Sequence, residues 1–495
     1  MINLLPLFIA VPIGAAFLLP LLARVSRRAP DLVANLVTIF LLVMTLGIYY
    51  FRPFNTVLNY RLGGWLPPIG INLVLDGLSH LLLLVISLVA GLVTFYSIAY
   101  MEKYTGKARY YTLFLLMIAG MNGAVLTGDL FNLFIFLELA AIASCALVAF
   151  GTGAEEMEAA FKYLIMGTVA SVLILFGIAL TYSLTGTLNM AEVARLFPAN
   201  ANHAKNLIMA LFLAGFATKA ALMPFHAWLP DAHPVAPAPV SATLSGVLIK
   251  ALGVYAIIRV FYNVLGMSPP VALILMLLGA ASILGGSFLA LGQRDLKRML
   301  AYSSIAQVGY IVLGVSLGTP LGIMGGLFHL FNHAIFKPLL FLNAGAVEYA
   351  TGTRQLNELG GLGRKMPVTA NTSLIASLAI SGLPPFNGFW SKLFIIIACV
   401  QAGQLWFALV AIIGSIMTLA YVLKAQRDVF LGPLPADLKA VREAPWIMGT
   451  TAVVMALLCL AVGLAFPYVI ALVINPAVVA VANGVGYGRM IMGGP

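Results

Sequence analysis

Residues 215–233 read GFATKAALMPFHAWLPDAH, an apolar run with Lys219 in its middle, cut first by Met223-Pro224 and then by Leu229-Pro230-Asp231. Its length suits a helix that crosses a bilayer, yet it carries a charged amine and then proline, which removes a backbone donor and breaks a helix interior. Neither belongs against lipid. Both are tolerated where protein or water surrounds the backbone, so the stretch points to the interior of a helical membrane protein.

The rest of the chain agrees. Its 495 residues are 62% hydrophobic and 9% charged, against about 25% charged in an ordinary soluble domain. Apolar runs near twenty residues recur from end to end, enough to cross roughly 30 Å of hydrocarbon as helices. The pattern predicts an all-α integral membrane fold of about fourteen spans: 2–24, 31–50, 72–99, 111–128, 130–150, 162–184, 206–229, 240–262, 270–292, 298–318, 321–347, 368–400, 403–424 and 446–475. The first run lacks a basic n-region and a small-residue cleavage pattern before Arg24, and is expected to be a retained helix. Cys145, Cys399 and Cys459 fall inside spans without C-x-x-C spacing, which argues against disulfides, zinc and iron–sulfur ligation.

The formal net charge of +11 matters through its distribution. Loops after odd-numbered spans hold seventeen basic residues, among them Arg24, Arg27, Arg28, Lys103, Lys107, Arg294, Arg354, Arg364, Lys365, Lys424 and Arg427. The other side holds six: Arg52, Arg61, Arg195, Lys205, Arg259 and Arg489. The positive-inside rule then puts the odd loops in the cytoplasm and both termini on the outer face of the cell's inner (plasma) membrane.

Four lysines remain, Lys219, Lys250, Lys337 and Lys392, and all lie within spans; Glu138 is the acid inside LFNLFIFLELAAIASCALVAF. A charge at the bilayer centre costs roughly 2.5–3.5 kcal/mol even on the lenient insertion scale. A single helix-fastening ion pair would account for one or two such residues; five imply groups that face one another or water. His329 and His333 share a helix face with Lys337 in GGLFHLFNHAIFKPLLFLNAG. Two His at i, i+4 could hold a metal, but there is no H-E-x-x-H glutamate and no third ligand nearby, and an imidazole relay fits the pattern better.

A second break, SGLPPFNGFWSKLF, places Pro384 and Pro385 a few residues before Lys392. Pro224-Phe225-x-x-Trp228 resembles Pro385-Phe386-x-x-Phe389, in spans 7 and 12. An odd offset of five spans reverses orientation, so the match predicts two inverted five-helix repeats, spans 4–8 and 9–13, with broken helices 7 and 12, a break beside a lysine in each half and binding groups near midplane. The expected divisions are 1–110 (spans 1–3), 111–262 (first repeat), 270–426 (second repeat) and 440–495 (span 14 and tail). Glu155, Glu156 and Glu158 suggest a solvated loop or helix start, and 188–204 a short surface helix. No Walker spacing, no G-x-G-x-x-G after a strand, and no flavin, haem or quinone motif is present, so no cofactor is expected in this chain and no redox or hydrolytic site.

Five ordered motifs carry a resemblance: GDLFNLFIFLELAAIAS, KAALMPFHAWLPDAHPVAPAPVSATLSGVLIKALGVYAIIR, KRMLAYSSIAQVGY, HLFNHAIFKPLLFLNAG and SGLPPFNGFWSKL. Together they resemble the proton-translocating membrane subunits of complex I (N-, M- and L-type) and of Mrp sodium/proton antiporters, over about residues 70–430. MNGAVLTGDLFNLFIFLE and Lys392 after PPFNGFWS look most like the Mrp D-type subunit and its counterpart in membrane-bound hydrogenases. The resemblance implies a proton relay: Glu138 and Lys219 as a coupling pair, Lys250 as connector toward the central axis, His329 and His333 bridging onward, and Lys392 as the terminal group that exchanges with the outer half-channel. It also implies that His226 and His233 assist entry, with less definite roles for Lys337 and Asp76. The implied function is proton translocation, with sodium antiport open, driven by partner subunits that include other antiporter-like membrane subunits and hydrophilic redox subunits. Two alternatives stay open: a subunit of an Mrp-type secondary antiporter not coupled to redox, and a structural membrane anchor of a redox enzyme.

Overall fold

A computed structural model describes residues 2–51, 57–65, 69–199 and 204–492. Arg52 and residues 200–203 of the 188–204 segment lie outside them. Among the described residues twelve helices are long and apolar enough to cross a membrane, and they coincide with every expected span except 7 and 12. Span 7 is divided into Ala204–Lys219 and Leu229–Val235, and span 12 into Pro367–Ser381 and Asn387–Gln401. Neither piece alone has crossing length.

Polar residues start and stop these helices as the backbone requires. Asp76, Asp129 and Asp295 each accept the N–H three residues on, capping Gly77–Tyr100, Leu130–Val148 and Leu296–Ser316. Close packing follows from small residues: spans 9 and 10 approach so tightly at Gly279 and Gly309 that a Cβ on Gly309 would meet the Gly279 carbonyl oxygen at 2.6 Å. Spans 8, 10 and 11 form the buried centre, while spans 1, 2, 6 and 13 lie at the rim with most of their surface outward. The central spans can therefore carry polar groups that rim spans cannot.

Three boundaries differ from expectation. Residues 72–75 are not helix: Asn72–Leu75 pairs antiparallel with Leu58–Arg61, a hairpin in an otherwise helical fold, and the Asp76 cap delays span 3 to Gly77. Span 6 starts at Ala154, so Glu155 and Glu156 occupy its first turn, where a helix dipole favours acids. Span 14 stops at Leu464; Phe466–Ala482 and Gly484–Met492 follow, bent by 94°.

That tail packs over the face opposite the basic loops. Asn263 donates to the carbonyls of Ala480 and Gly484, and Tyr487 lies under the Arg259 guanidinium. Arg259 in turn clamps Asp76 with two hydrogen bonds of 2.7 Å and reaches Ser79 and Asn263 at 3.1 Å. Burial alone would raise the Asp76 carboxyl, but the adjacent guanidinium and its hydrogen bonds reverse this and hold it below its ordinary range. Spans 3 and 8 and the tail are thus fastened at one end by a buried, fully bonded ion pair.

The two halves share local detail. Leu130 N–H donates to Leu188 O and Met190 N–H to Gly128 O; Leu296 donates to Arg354 O and Leu356 to Arg294 O in the same way. Both crossings end in a 32-residue helix closed by a left-handed glycine, Gly186 and Gly352.

Candidate functional site: a buried series of charged and imidazole side chains

The two breaks are built alike. Ala221 and Gly382 take left-handed φ, 54° and 84°. Ala221 N–H donates to Thr218 O and Leu222 N–H to Ala217 O, and Gly382 and Leu383 repeat the pair onto Ala379 O and Leu378 O. This is the helix-ending motif that ties up the last carbonyls, and in both cases a cis X-Pro bond follows it, Met223-Pro224 and Pro384-Pro385. Other groups freed at the first break also find partners: Trp228 indole donates to Thr218 O at 3.1 Å, and Met223 N–H to Ser282 Oγ at 2.9 Å.

The lysines, however, are not equivalent, which corrects the expectation of one arrangement repeated per half. Lys219 ends the helix before its break, whereas Lys392 lies in the second turn of the helix after its own. Aligning the breaks residue by residue sets Lys219 against Ile380 and Lys392 against Asp231.

Lys219 Nζ is 3.0 Å from Glu138 Oε1, and Ser171 Oγ of span 6 donates to the same oxygen. Lys219 is buried, but the Glu138 side chain keeps 27% of its exposure. Past the break-side Ala220, which packs against Gly253, the chain continues to Lys250 in span 8. Here the helix widens into π-helical turns at Leu244–Leu248 and Lys250–Val254, and the ammonium donates to the carbonyls of Ser245, at 2.7 Å, and Gly246. π-turns recur at functional sites, and this one solvates a lysine with its own backbone. Ser245 Oγ meets Ser304 Oγ of span 10 at 2.6 Å, joining the halves.

Gly246 also receives the ring of Pro338, beside Lys337 of span 11. Lys337, His333 and His233 are fully buried, and their side-chain nitrogens have no hydrogen-bond partner among the described residues. The His329 and His333 rings are 6.5 Å apart. His329 is held at both nitrogens, Nδ1 by Ser391 Oγ at 2.9 Å and Nε2 by Gln307 Oε1 at 3.1 Å. Tyr310 stands between His329, at 5.5 Å, and Lys392, whose Nζ sits 4.8 Å over the ring. Lys392 donates to Ser381 O at 3.4 Å and has no carboxylate partner among the described residues.

Glu138, Lys219, Lys250, Lys337, His333, His329 and Lys392 are thereby brought into one succession across the middle of the bundle. His226, half-buried by the first break, with no hydrogen-bond partner for Nδ1 among the described residues, and His233 lie toward the basic face. Near them the half-helix Leu229–Val235 is tied to both halves: Asp231 pairs with Lys162 at 3.1 Å and Arg298 at 3.0 Å, and Lys297 and Arg354 take Pro234 O. Ser171, Ser304, Gln307, Tyr310 and Ser391 join the site without standing out in the sequence. For Ser304, Gln307 and Tyr310 a signal exists, since KRMLAYSSIAQVGY is unusually polar for a span; Ser171 gives none.

Such a succession can pass protons by relay: amines, imidazoles and hydroxyls alternate donor and acceptor states, and a paired carboxylate can set the charge of the lysine beside it.

Residues 127–418 match the family model described as NADH:quinone oxidoreductase/Mrp antiporter, TM, and residues 65–111 that of the NADH-ubiquinone oxidoreductase (complex I) chain 5 N-terminus. The N-type subunit of the NADH-quinone oxidoreductase of Desulforudis audaxviator is 40% identical over 88% of this chain and 87% of its own. The D-type Na(+)/H(+) antiporter subunit of Alkalihalophilus pseudofirmus is 36% identical over 75% of each. A chain of the Mrp complex from Dietzia sp. DQ12-45-1b superposes with a TM-score of 0.92 at 30% identity, over 99% of both chains.

Proposed function

The chain belongs to the NADH:quinone oxidoreductase/Mrp antiporter membrane family, and on that premise we propose that it moves protons across the bilayer as one subunit of a multisubunit complex. The observation that carries this is the series of charged and imidazole side chains from the Glu138–Lys219 pair through buried Lys250, His333 and His329 to buried Lys392, on adjoining spans inside the bundle. In the mechanism, opening or closing the pair changes the charge on Lys219. The proton it releases passes through Lys250 and the span-11 histidines, with Lys337 beside them, to Lys392, and His226 and His233 assist loading. Fourteen crossings, counting each broken pair as one, arranged as two inverted five-helix repeats would give the two halves opposite access. The congruent breaks and the repeated Leu130 and Leu296 contacts support that arrangement. The charge asymmetry supports a cytoplasmic basic face and outer termini.

Partner subunits supply the driving force. Glu138, partly exposed between outward-facing Ile135 and Ile142, supports one contact surface, because a carboxylate facing lipid at this depth is costly and a neighbouring subunit removes that cost. Whether those partners include redox subunits, and whether sodium is exchanged, separates a complex I-like role from an Mrp-like one; relatives of both kinds match. A purely structural anchor is disfavoured because it gains nothing from midplane lysines.

The test is proton transport by the assembled complex in membrane vesicles, followed with a pH-sensitive dye. Glu138→Gln and Lys219→Ala are each expected to abolish transport without loss of assembly, and intact transport in either would overturn the reading.

A further inference from the structure

A cavity of about 600 Å³ lies on the basic face, where the loops after spans 9 and 11 meet the end of span 13. Its charged lining is Arg294, Lys424 and Arg427 against one acid, Asp428, three bases less one acid for a net of +2. Lys424 closes the end of span 9 by donating to the carbonyls of Leu291 at 2.9 Å and Gln293 at 3.0 Å, which fastens spans 9 and 13 at the cavity wall. Arg427 Nε donates to Asp428 at 2.8 Å. Arg294 is exposed, and its guanidinium has no carboxylate partner among the described residues.

The same two spans form an apolar groove that leads to this cavity. They touch at Gly414, where an added Cβ would overlap Ile283. Both run toward the basic face. Counting about 100° per residue from that contact, Leu284 and Phe288 of span 9 and Ile413 and Ala420 of span 13 therefore turn to one side of the pair, and Lys424 and Arg427 turn to it as well. These four apolar residues are exposed.

Basic residues on this face need no ligand, since topology alone favours them. Two observations point further. A second cavity on the same face, about 350 Å³, also holds three bases, Lys162, Arg298 and Arg354, but each of them is paired with a carboxylate, so a cavity here is not cationic by default. And the uncompensated charge stands at the head of the groove, where a molecule with an anionic head and an apolar tail satisfies both.

We propose that cavity and groove hold an anionic phospholipid, its phosphate on Arg294 and Arg427 and an acyl chain between spans 9 and 13. Basic pockets between helices on a cytoplasmic side suit such headgroups. Inorganic phosphate shares the chemistry of the head but has nothing to place in the groove, and a zwitterionic lipid would set its own cation beside the surplus of bases. The inference is independent of the proton relay.

The test is thermal unfolding of the purified, delipidated complex, titrated with dioleoylphosphatidylglycerol, with dioleoylphosphatidylcholine or with inorganic phosphate. Phosphatidylglycerol is expected to raise the melting temperature, because a ligand bound only by the folded state stabilises it. Arg294→Gln combined with Arg427→Gln should shift the midpoint of that rise to roughly thirtyfold higher lipid, the effect of two charges near a membrane surface. Other lipid sites on the complex are common to both proteins and cancel in the comparison. Equal midpoints in the two proteins overturn the site, including the case in which a neighbouring subunit covers it. An equal rise with phosphatidylcholine overturns the anionic head, and an equal rise with phosphate overturns the lipid. If the double variant does not assemble, Arg294→Gln alone decides by the same outcomes with an expected shift of about fivefold.

Discussion

At the first break the chain leaves its helix through Ala221, and at the second through Gly382, with the same two backbone hydrogen bonds and the same following proline geometry. The side chains then diverge. The first break sits beside a lysine neutralised by Glu138 and backed by an aromatic helix face; the second beside a lysine that rests on Tyr310 and a carbonyl and is backed by hydroxyls. One backbone device thus stands beside two electrostatic settings: a lysine held against a carboxylate, and a lysine with no carboxylate partner among the described residues.

The strongest way to break that contrast is to remove the counter-ion. Glu138→Gln strands the Lys219 ammonium, and the expected cost is about 3–5 kcal/mol of stability, the usual penalty for orphaning one member of a buried pair. The partial exposure of Glu138 favours the lower end. Glu138→Gln combined with Lys219→Met should regain most of the loss while transport stays abolished. Lys392→Met, with no carboxylate to orphan, should leave thermal stability unchanged or improved. Unfolding of the purified complex measures all three, and the contrast fails if Lys392→Met costs as much as Glu138→Gln.

Gly382→Ala comes next. Left-handed backbone at a residue with Cβ costs about 1–2 kcal/mol, and the added Cβ would lie 3.0 Å from Lys392 Cδ. Lower thermal stability together with slower transport is expected, because strain and the displaced lysine arise from the same atom. Stability that falls while transport holds would mean that Lys392 tolerates displacement.

Tyr310 sharpens the second break further. Removing the ring in Tyr310→Leu takes away a cation–π contact of about 0.5–2 kcal/mol. Tyr310→Phe keeps the ring and loses only the hydroxyl bonds to Ala411 O and Ser415. Transport should fall clearly in the first and little in the second; equal effects would assign Tyr310 to packing against span 13.

Much of this is legible in sequence because membrane helices obey a one-dimensional rule: length and hydropathy locate twelve spans, prolines locate both breaks, and a charge inside a span has few explanations. The hairpin strand at 72–75 escapes that rule since its residues, Asn72 to Leu75, are as apolar as the helix after them, and only pairing with Leu58–Arg61 distinguishes the two. Ser171 is hidden for another reason, and the polarity around Gln307 marks its span but not its partner. Their importance comes from which oxygen or nitrogen lies opposite, a property of packing between distant spans. The lysine register is illegible because motif similarity around Pro224 and Pro385 says where the breaks are, not on which side of each the charge falls.

The smallest effect tests whether the breaks are as alike as their hydrogen bonds suggest. Ala221 occupies the position where Gly382 stands in the other half, so it carries the left-handed strain that glycine avoids. Ala221→Gly should relieve about 1–2 kcal/mol of that strain and return about 0.4–1 kcal/mol to the more flexible unfolded chain. A net gain of roughly 0.5–1 kcal/mol, read as a small rise in melting temperature, is therefore expected, with transport unchanged because no side-chain contact to Lys219 or Glu138 is lost. If the variant melts no higher but transports more slowly, the strained alanine at the first break is needed to hold Lys219 in register with its carboxylate, and the two breaks differ in backbone as well as in charge.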